Sequence, residues 1–281
     1  MRQAWAADTG DDIPWNTAVP WDTVVGMSAD ETTTGTPATR RVAIVTGGSR
    51  GIGRAVSERL AGDGFAVILA YAGNTAAAEE TVSAITAAGG TAIALRADVA
   101  DERQVAALFD RAEEDLGGVD VVVNAAGRMA LSSIADLDLE VLDDLHRTNV
   151  RGTVVVAQQA ARRLRAGGAL ITFSTTVVAT QLPGYGAYVA GKAAVEGLTL
   201  ILARELRGRD VTVNTVAPGP TATALFLEGK TQEQIDALAS APPLERLGTP
   251  QDIAGVVAFL AGPDGRWVNG QVLRANGGLA R

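Results

Sequence analysis

The sequence predicts a single α/β domain built on a doubly wound parallel sheet with helices on both faces. Three observations carry that prediction. From Arg41 onward, short β-branched apolar runs alternate with helical stretches of ten or more residues. The runs "VAIV", "AVIL", "DVVV" and "ALIT" are continuous rather than alternating, as strands covered on both faces must be. Between residues 41 and 281 no shift in composition marks a second domain.

The elements follow in order. The first strand, 41–46 ("RVAIVT"), runs into a glycine cluster and then the helical "GRAVSERLAGDG". The second, 65–71 ("FAVILAY"), precedes "TAAAEETVSAITAAGG", whose glycines fall where a helix C-cap belongs. Next come a strand at 91–97, a helix at 101–116, a strand at 119–123, one long helix over 137–166 and a strand at 168–174. A helix over 186–206 and a strand at 210–215 lead into an irregular stretch, 216–230. Shorter helices near 231–240 and 250–261 and a last strand around 270–274 complete the pattern. Strand–helix–strand units of this length pair in parallel, because the crossover helix returns the chain to the same end of the sheet.

Residues 1–39 differ from the rest. They hold three of the four tryptophans and three prolines, with no sustained periodicity. They read as a disordered N-terminal tail, with Met27 as an alternative start. A second reading is a docking arm that lays Trp5, Trp15 and Trp21 on a partner. Neither a signal-peptide core nor a transit-peptide composition is present, so the expectation is a cytoplasmic protein.

Composition narrows the chemistry. A net charge of −8 argues against a nucleic-acid partner, and no apolar run approaches the roughly 18 residues of a membrane span. Cysteine is absent, which removes disulfides, thiol nucleophiles and cysteine–zinc sites. His146 is the sole histidine, so no metal site is expected, and His146 itself reads as a structural residue. Acid–base work near neutral pH then falls to a tuned tyrosine, lysine or carboxylate.

"TGGSRGIG", 46–53, sets Gly47, Gly51 and Gly53 between the first strand and its helix. Glycines there allow a tight turn and bring backbone N–H groups to a pyrophosphate at the helix N-terminus, the signature of a Rossmann-type dinucleotide site. The second strand ends "AYAGN", without the carboxylate that holds the adenosine ribose of NAD. Arg50 is placed to meet a 2′-phosphate instead, so NADP(H) is preferred over NAD(H). The plainer reading of Arg50 is a solvated loop charge.

"YGAYVAGK", 185–192, holds two of three tyrosines and one of only two lysines. Tyr188 and Lys192 lie at i, i+4 on one helix face. Tyr185 lies about 10.5 Å from Lys192 along the axis, too far to couple directly. A free phenol has a pKa near 10. A neighbouring ammonium and an oxidised nicotinamide both favour the phenolate, so Tyr188 is expected to be tuned downward by Lys192 as a proton donor and acceptor.

With these pieces the sequence resembles the single-domain branch of the short-chain dehydrogenase/reductase superfamily. The matching segments are "TGGSRGIG", Asp98–Val99, "NAAG" at Asn124–Gly127, Asn149, the Tyr188–Lys192 pair, "APGPTAT" at 217–223 and "NGQVLRANGG". They run in family order over residues 41 to 278, which makes 40–281 the dinucleotide-binding catalytic domain. The chain is similar to members described as 3-oxoacyl-carrier-protein reductase-like or NADPH-dependent aldehyde reductase-like.

The resemblance implies that Gly47, Ser49, Arg50, Gly51, Ile52 and Gly53 hold the cofactor phosphates. Asp98 and Val99 hold the adenine edge, and Asn124, Ala125 and Gly127 line the cofactor. Lys192 also binds the nicotinamide ribose, Asn149 positions a relay water, and Pro218, Gly219, Thr221 and Thr223 meet the carboxamide and pyrophosphate side. Where the family has a serine thirteen residues before the tyrosine, this chain has Thr175, with Ser174 and Thr176 as substitutes. It further implies catalysis by Tyr188, Lys192, Asn149 and Thr175.

The segment 224–248 suggests a lid, with Leu225, Phe226 and Leu227 as an apolar wall suited to an aliphatic or aromatic carbonyl. A stripe of Ala190, Ala194, Gly197 and Ile201 matches the face through which family members pair, implying a homotetramer or homodimer. The function expected is an NADPH-dependent reductase of an aldehyde, ketone or 3-oxoacyl-type small-molecule carbonyl. The alternatives are a polyol or sugar dehydrogenase and a catalytically idle nucleotide-binding interaction protein.

Overall fold

The computed structural model describes residues 40–281, so the segment 1–39 and its three tryptophans lie outside the described residues. Seven strands run through the domain: β1 Val42–Thr46, β2 Ala66–Tyr71, β3 Thr91–Arg96, β4 Val119–Asn124, β5 Leu164–Phe173, β6 Thr212–Pro218 and β7 Val272–Ala275. They form one sheet in the order β3-β2-β1-β4-β5-β6-β7, with every neighbouring pair parallel. The winding reverses between β1 and β4, and the crevice beyond that reversal is where this architecture binds ligands.

Helices cover both faces: α1 Gly51–Gly62, α2 Thr75–Ala87, α3 Glu102–Leu116, α4 Leu139–His146, α5 Gly152–Arg163, α6 Val177–Thr180, α7 Gly186–Glu205, α8 Ala224–Leu227, α9 Gln232–Ser240 and α10 Pro250–Ala261. Alternate strand residues feed two separate cores. Ile44, Ile68, Val122 and Leu170 pack with Leu108 and Phe109 of α3 and Val156 of α5. Val45, Val67, Leu69, Val121 and Ile171 face the other way, against Val56 and Leu60 of α1 and Ile253 and Leu260 of α10. Each fully buried side chain of this size contributes about 1.5–3 kcal/mol.

The single helix expected over 137–166 is broken in two ways. Between α4 and α5 the backbone widens into a π-helical turn at Arg147–Arg151. The helix then stops at Arg163, and Leu164 takes an extended conformation at the start of β5. Leu164 is buried and pairs with Val119, so burial against the sheet overrides the helix propensity of "RLRA". Smaller differences follow the same logic. β6 runs on to Pro218 because it pairs with β7 there, and the stretch read as irregular contains α8, started by the Thr223 side-chain cap.

Helix α7 is long and apolar enough, by length and composition, to cross a membrane, although the sequence shows no uninterrupted apolar run. Lys192 and Glu196 interrupt it, and Val195 and Thr199 are buried on its sheet-facing side.

The far end of the sheet is stitched by Asp120. Its carboxylate accepts the Val42 N–H at 2.6 Å and the Arg165 Nε at 3.0 Å. Val42 is buried, so removing the acceptor strands an N–H where water cannot reach it. Asp120→Ala is therefore expected to lose about 1–3 kcal/mol in urea unfolding with unchanged turnover, because the site lies at the opposite strand ends. Unchanged stability contradicts this account of Asp120.

Candidate active site

The β1–α1 loop is built so that nothing but glycine fits at its tightest points. Gly47 sits at φ +65, and a Cβ there would lie 2.9 Å from Ala126 N. A Cβ on Gly53 would lie 2.1 Å from the Gly47 carbonyl, so the loop closes onto the first turn of α1. Ser49 is buried in the same loop. A Cβ on Gly51 would touch Thr223 at 3.5 Å, so the loop and the β6–α8 segment face each other as two sides of a cradle.

Helices α2, α3, α4, α9 and α10 each begin with a side-chain cap, whereas α1 has neither a side-chain cap nor an acidic residue in its first turn. Its free N–H groups and dipole suit a pyrophosphate. Arg50, the residue before α1, is exposed and makes no ion pair among the described residues. No carboxylate lies at the end of β2, where Ala72 O accepts Arg96 Nε at 3.0 Å. The cradle and these groups fit a dinucleotide carrying a phosphate on its adenosine ribose.

On the adenine side, Asp98 is already engaged. Its carboxylate accepts the Ala100 N–H at 2.9 Å and pairs with Arg147 at 2.7 Å. Desolvation pushes its pKa up, but those two contacts outweigh it and leave the group below its ordinary value. Val99 fills the space above Gly152, where a Cβ would come within 2.6 Å.

At the strand ends a chain of buried hydrogen bonds joins the next residues. Thr46 Oγ1 donates to Asn124 Oδ1 at 2.6 Å, and Asn124 Nδ2 donates to Thr153 Oγ1 at 2.9 Å. Thr153 Oγ1 donates in turn to the Asn149 carbonyl at 2.7 Å. Asn149 sits in the π-helical turn, and its amide clamps the backbone of one residue, Arg128. It accepts Arg128 N at 2.9 Å and donates to Arg128 O at 2.8 Å. The Asn149 side chain is thus spent on holding the Gly127–Arg128 segment, and Lys192 Nζ and Asn149 Oδ1 face the same side of Gly127, where a Cβ would lie 3.5 and 3.2 Å from them.

Tyr188, Lys192 and Thr175 meet in a cavity of about 280 Å³ that also takes in Ile52, Ala125, Gly127, Pro218, Gly219, Thr221 and Thr223. Arg50, Asp98 and Val99 lie outside it. The three hydroxyls after β5 have different partners. Ser174 donates to Glu196 Oε1 at 2.7 Å and Thr176 to Ala217 O at 3.2 Å, whereas Thr175 faces the Tyr188 hydroxyl.

Lys192 Nζ donates to Phe173 O at 2.9 Å and stands 5.9 Å from the centre of the Tyr188 ring. The expected downward tuning of Tyr188 is not what this environment produces. Burial pushes Tyr188 up to about 12, partly opposed by the Thr175 hydroxyl and reinforced by Tyr185. Burial pushes Lys192 down to about 8. Desolvation is the first cause at both groups, and neither group shifts the other.

Several cavity residues escape sequence reasoning. Leu225 and Phe226 line it as the lid reading requires, but Leu227 does not; Leu182, Leu238, Ala241 and Leu279 do. Only the double glycine ahead of Leu279 hints that the chain turns back there. His146 is exposed, and the stripe Ala190, Ala194, Gly197 and Ile201 is exposed along α7.

Comparison with known proteins follows this geometry. A family model described as enoyl-(acyl carrier protein) reductase matches residues 47–280. A short-chain type dehydrogenase/reductase of Picea abies is 46% identical over 85% of this chain and 92% of its own length. A chloroplastic NADPH-dependent aldehyde reductase-like protein of Arabidopsis thaliana is 41% identical, covering 86% of this chain and 95% of its own. The solved structure of a short chain dehydrogenase from Burkholderia cenocepacia in complex with NADP superposes with a TM-score of 0.80 at 41% identity, over 86% and 98% of the two chains.

The buried ammonium gives a stability test. Because Lys192 titrates near 8 folded and 10.5 unfolded, the unfolded chain binds more protons between those values, and wild-type stability rises with pH across that window. Lys192→Met is expected to unfold later than wild type at pH 7, by up to about 3 kcal/mol, and to lose that advantage above pH 10.5. Chemical denaturation at pH 7 and pH 11 reads both.

Proposed function

The chain belongs to the short-chain dehydrogenase/reductase superfamily, and on that footing we propose that it is an NADPH-dependent reductase of an aldehyde, ketone or 3-oxoacyl-type carbonyl, with Tyr188 as general acid. The observation that carries the reading is the Tyr188 phenol, pushed up to about 12 and facing the Thr175 hydroxyl inside an apolar cavity. At neutral pH such a group holds a proton to give.

Bound NADPH supplies the hydride. Thr175 Oγ1 and Tyr188 Oη bind the carbonyl oxygen between them. As negative charge grows on that oxygen, the proton passes from Tyr188 Oη, and general acid catalysis of this kind contributes about 10²–10⁴-fold. The Lys192 ammonium stabilises the phenolate left behind, through a low-dielectric gap where its charge acts strongly. Lys192 also binds the nicotinamide ribose, and a water beside Asn149 returns the proton through it. Asn149 further fixes the cavity edge through the Gly127–Arg128 peptide.

Ser49, Gly47, Gly51, Ile52 and Gly53 take the pyrophosphate with the α1 N-terminus, and Arg50 takes the 2′-phosphate. Asp98 and Val99 bound the adenine. Asn124, Ala125, Gly127, Pro218, Gly219, Thr221 and Thr223 enclose the nicotinamide half. The preference for NADP(H) is supported by the unpaired Arg50, by the carboxylate-free end of β2, and by relatives described as NADPH-dependent. The exposed small residues on α7 support assembly into a homotetramer or homodimer.

Against a panel of aldehydes and β-ketoesters, Tyr188→Phe is expected to lower kcat/KM at least about 100-fold while NADPH still binds. Equal activity in that variant sinks the mechanism. Arg50→Ala is expected to raise the KM for NADPH roughly tenfold and leave NADH unchanged. Light scattering at micromolar concentration is expected to show an oligomer, and a monomer there defeats the assembly.

A further inference from the structure

The wall of the cavity opposite the β5 hydroxyls includes a residue from the far end of the chain. After β7, the turn Asn276–Ala280 folds back and delivers Leu279 into the cavity beside Leu225 and Phe226 of α8 and Leu238 of α9. We propose that Leu279 is a specificity-determining residue that grips the apolar tail of the carbonyl substrate, and that Asn276 is the positioning residue that holds it there. The proposal rests on the reductase reading above and narrows it to carbonyl compounds with an uncharged aliphatic or aromatic tail.

The turn is fixed rather than loose. Asn276 is buried, its Nδ2 donates to Ala280 O at 2.8 Å, and its Oδ1 accepts Gly278 N at 3.0 Å. Its backbone carbonyl accepts Leu279 N at 3.2 Å. Gly277 and Gly278 both have positive φ, at +65 and +89, which bends the chain back on itself. A Cβ on either would press to 3.1 Å against Pro242 or Pro243, just past α9. The turn is wedged against the end of α9, so Leu279 and the leucines of α8 and α9 form one surface.

That surface offers nothing to a charge. Two cations border the cavity. Lys192 is committed to Phe173 O, and Arg128 pairs with Asp144 at 3.0 Å. Lys230, near α8, stacks on the outside of Phe226 and donates to the Phe226 carbonyl. A phosphorylated or carboxylated tail laid on Leu225, Leu238 and Leu279 would lose its hydration there and meet a cation only by drawing Arg128 away from Asp144 at the cavity edge, while an aliphatic tail gains burial with each methylene.

The test uses the full chain loaded with NADPH and the straight-chain alcohols propanol to octanol, which bind without reacting with the reduced cofactor. Calorimetry reads affinity whether or not any carbonyl is turned over. Wild type is expected to bind more tightly as the chain lengthens. Leu279→Ala is expected to weaken hexanol and octanol roughly tenfold and to spare propanol, and Leu279→Met to restore them. Asn276→Ala is expected to reproduce the Leu279→Ala pattern with Leu279 still present. If Asn276→Ala does not fold, the two Leu279 variants decide the proposal. No dependence on chain length in wild type, an equal loss for all alcohols, or no change in Leu279→Ala overturns it. Failure of the wild type to reduce any carbonyl, with this binding pattern intact, overturns the reductase reading instead.

Discussion

Thr46, Asn124, Thr153 and Asn149 pass hydrogen bonds from one to the next at the place where the winding of the sheet reverses. The row ties the ends of β1 and β4 to α5 and to the π-helical turn, and through Asn149 it reaches the Gly127–Arg128 peptide. Each member is buried or nearly so, so the loss of one leaves others unpaired where water is absent. The widened turn at Arg147–Arg151 is part of the same constraint. It sets Asn149 where its amide can reach across to Arg128, and the Thr153 hydroxyl takes the Asn149 carbonyl. The positions of Ala126 and of the Gly127–Arg128 segment derive from this row.

A second constraint is electrostatic. Lys192 is buried and Tyr188 half-buried at the cavity, and both lean toward their neutral forms. Stability is sacrificed for a local field that water would otherwise screen. Among the described residues the direct polar partner of Lys192 Nζ is the Phe173 carbonyl, so its orientation follows the end of β5. That strand end also places Ser174 on Glu196 and Thr175 on Tyr188, so one backbone segment orders three side chains of the site.

Much of the fold is legible in the sequence because parallel strands buried on both faces leave an unmistakable apolar run, as at Val42–Thr46 and Val119–Asn124. The boundary at Leu164 is not legible. "RLRA" has good helix formers, and only the pairing of Leu164 with Val119 tells the chain to extend. The Tyr188–Lys192 spacing and the glycine loop identify where chemistry sits, since both are local patterns. The upward displacement of Tyr188 is a property of surroundings contributed by distant segments, and no local pattern encodes it. Leu279 escapes for the same reason: its neighbours Phe226 and Leu238 come from elsewhere in the sequence.

The scarcity of lysine has a practical side. Of the two in the chain, Lys192 is enclosed and held by Phe173 O, while Lys230 lies partly open over the Phe226 ring. Amine-directed reagents acting on residues 40–281 therefore find one accessible side chain, and it sits just beyond α8. A dye, crosslinker or resin attached there lands next to the helix that lends Leu225 and Phe226 to the cavity, so covalent immobilisation through lysine fixes the protein beside that helix.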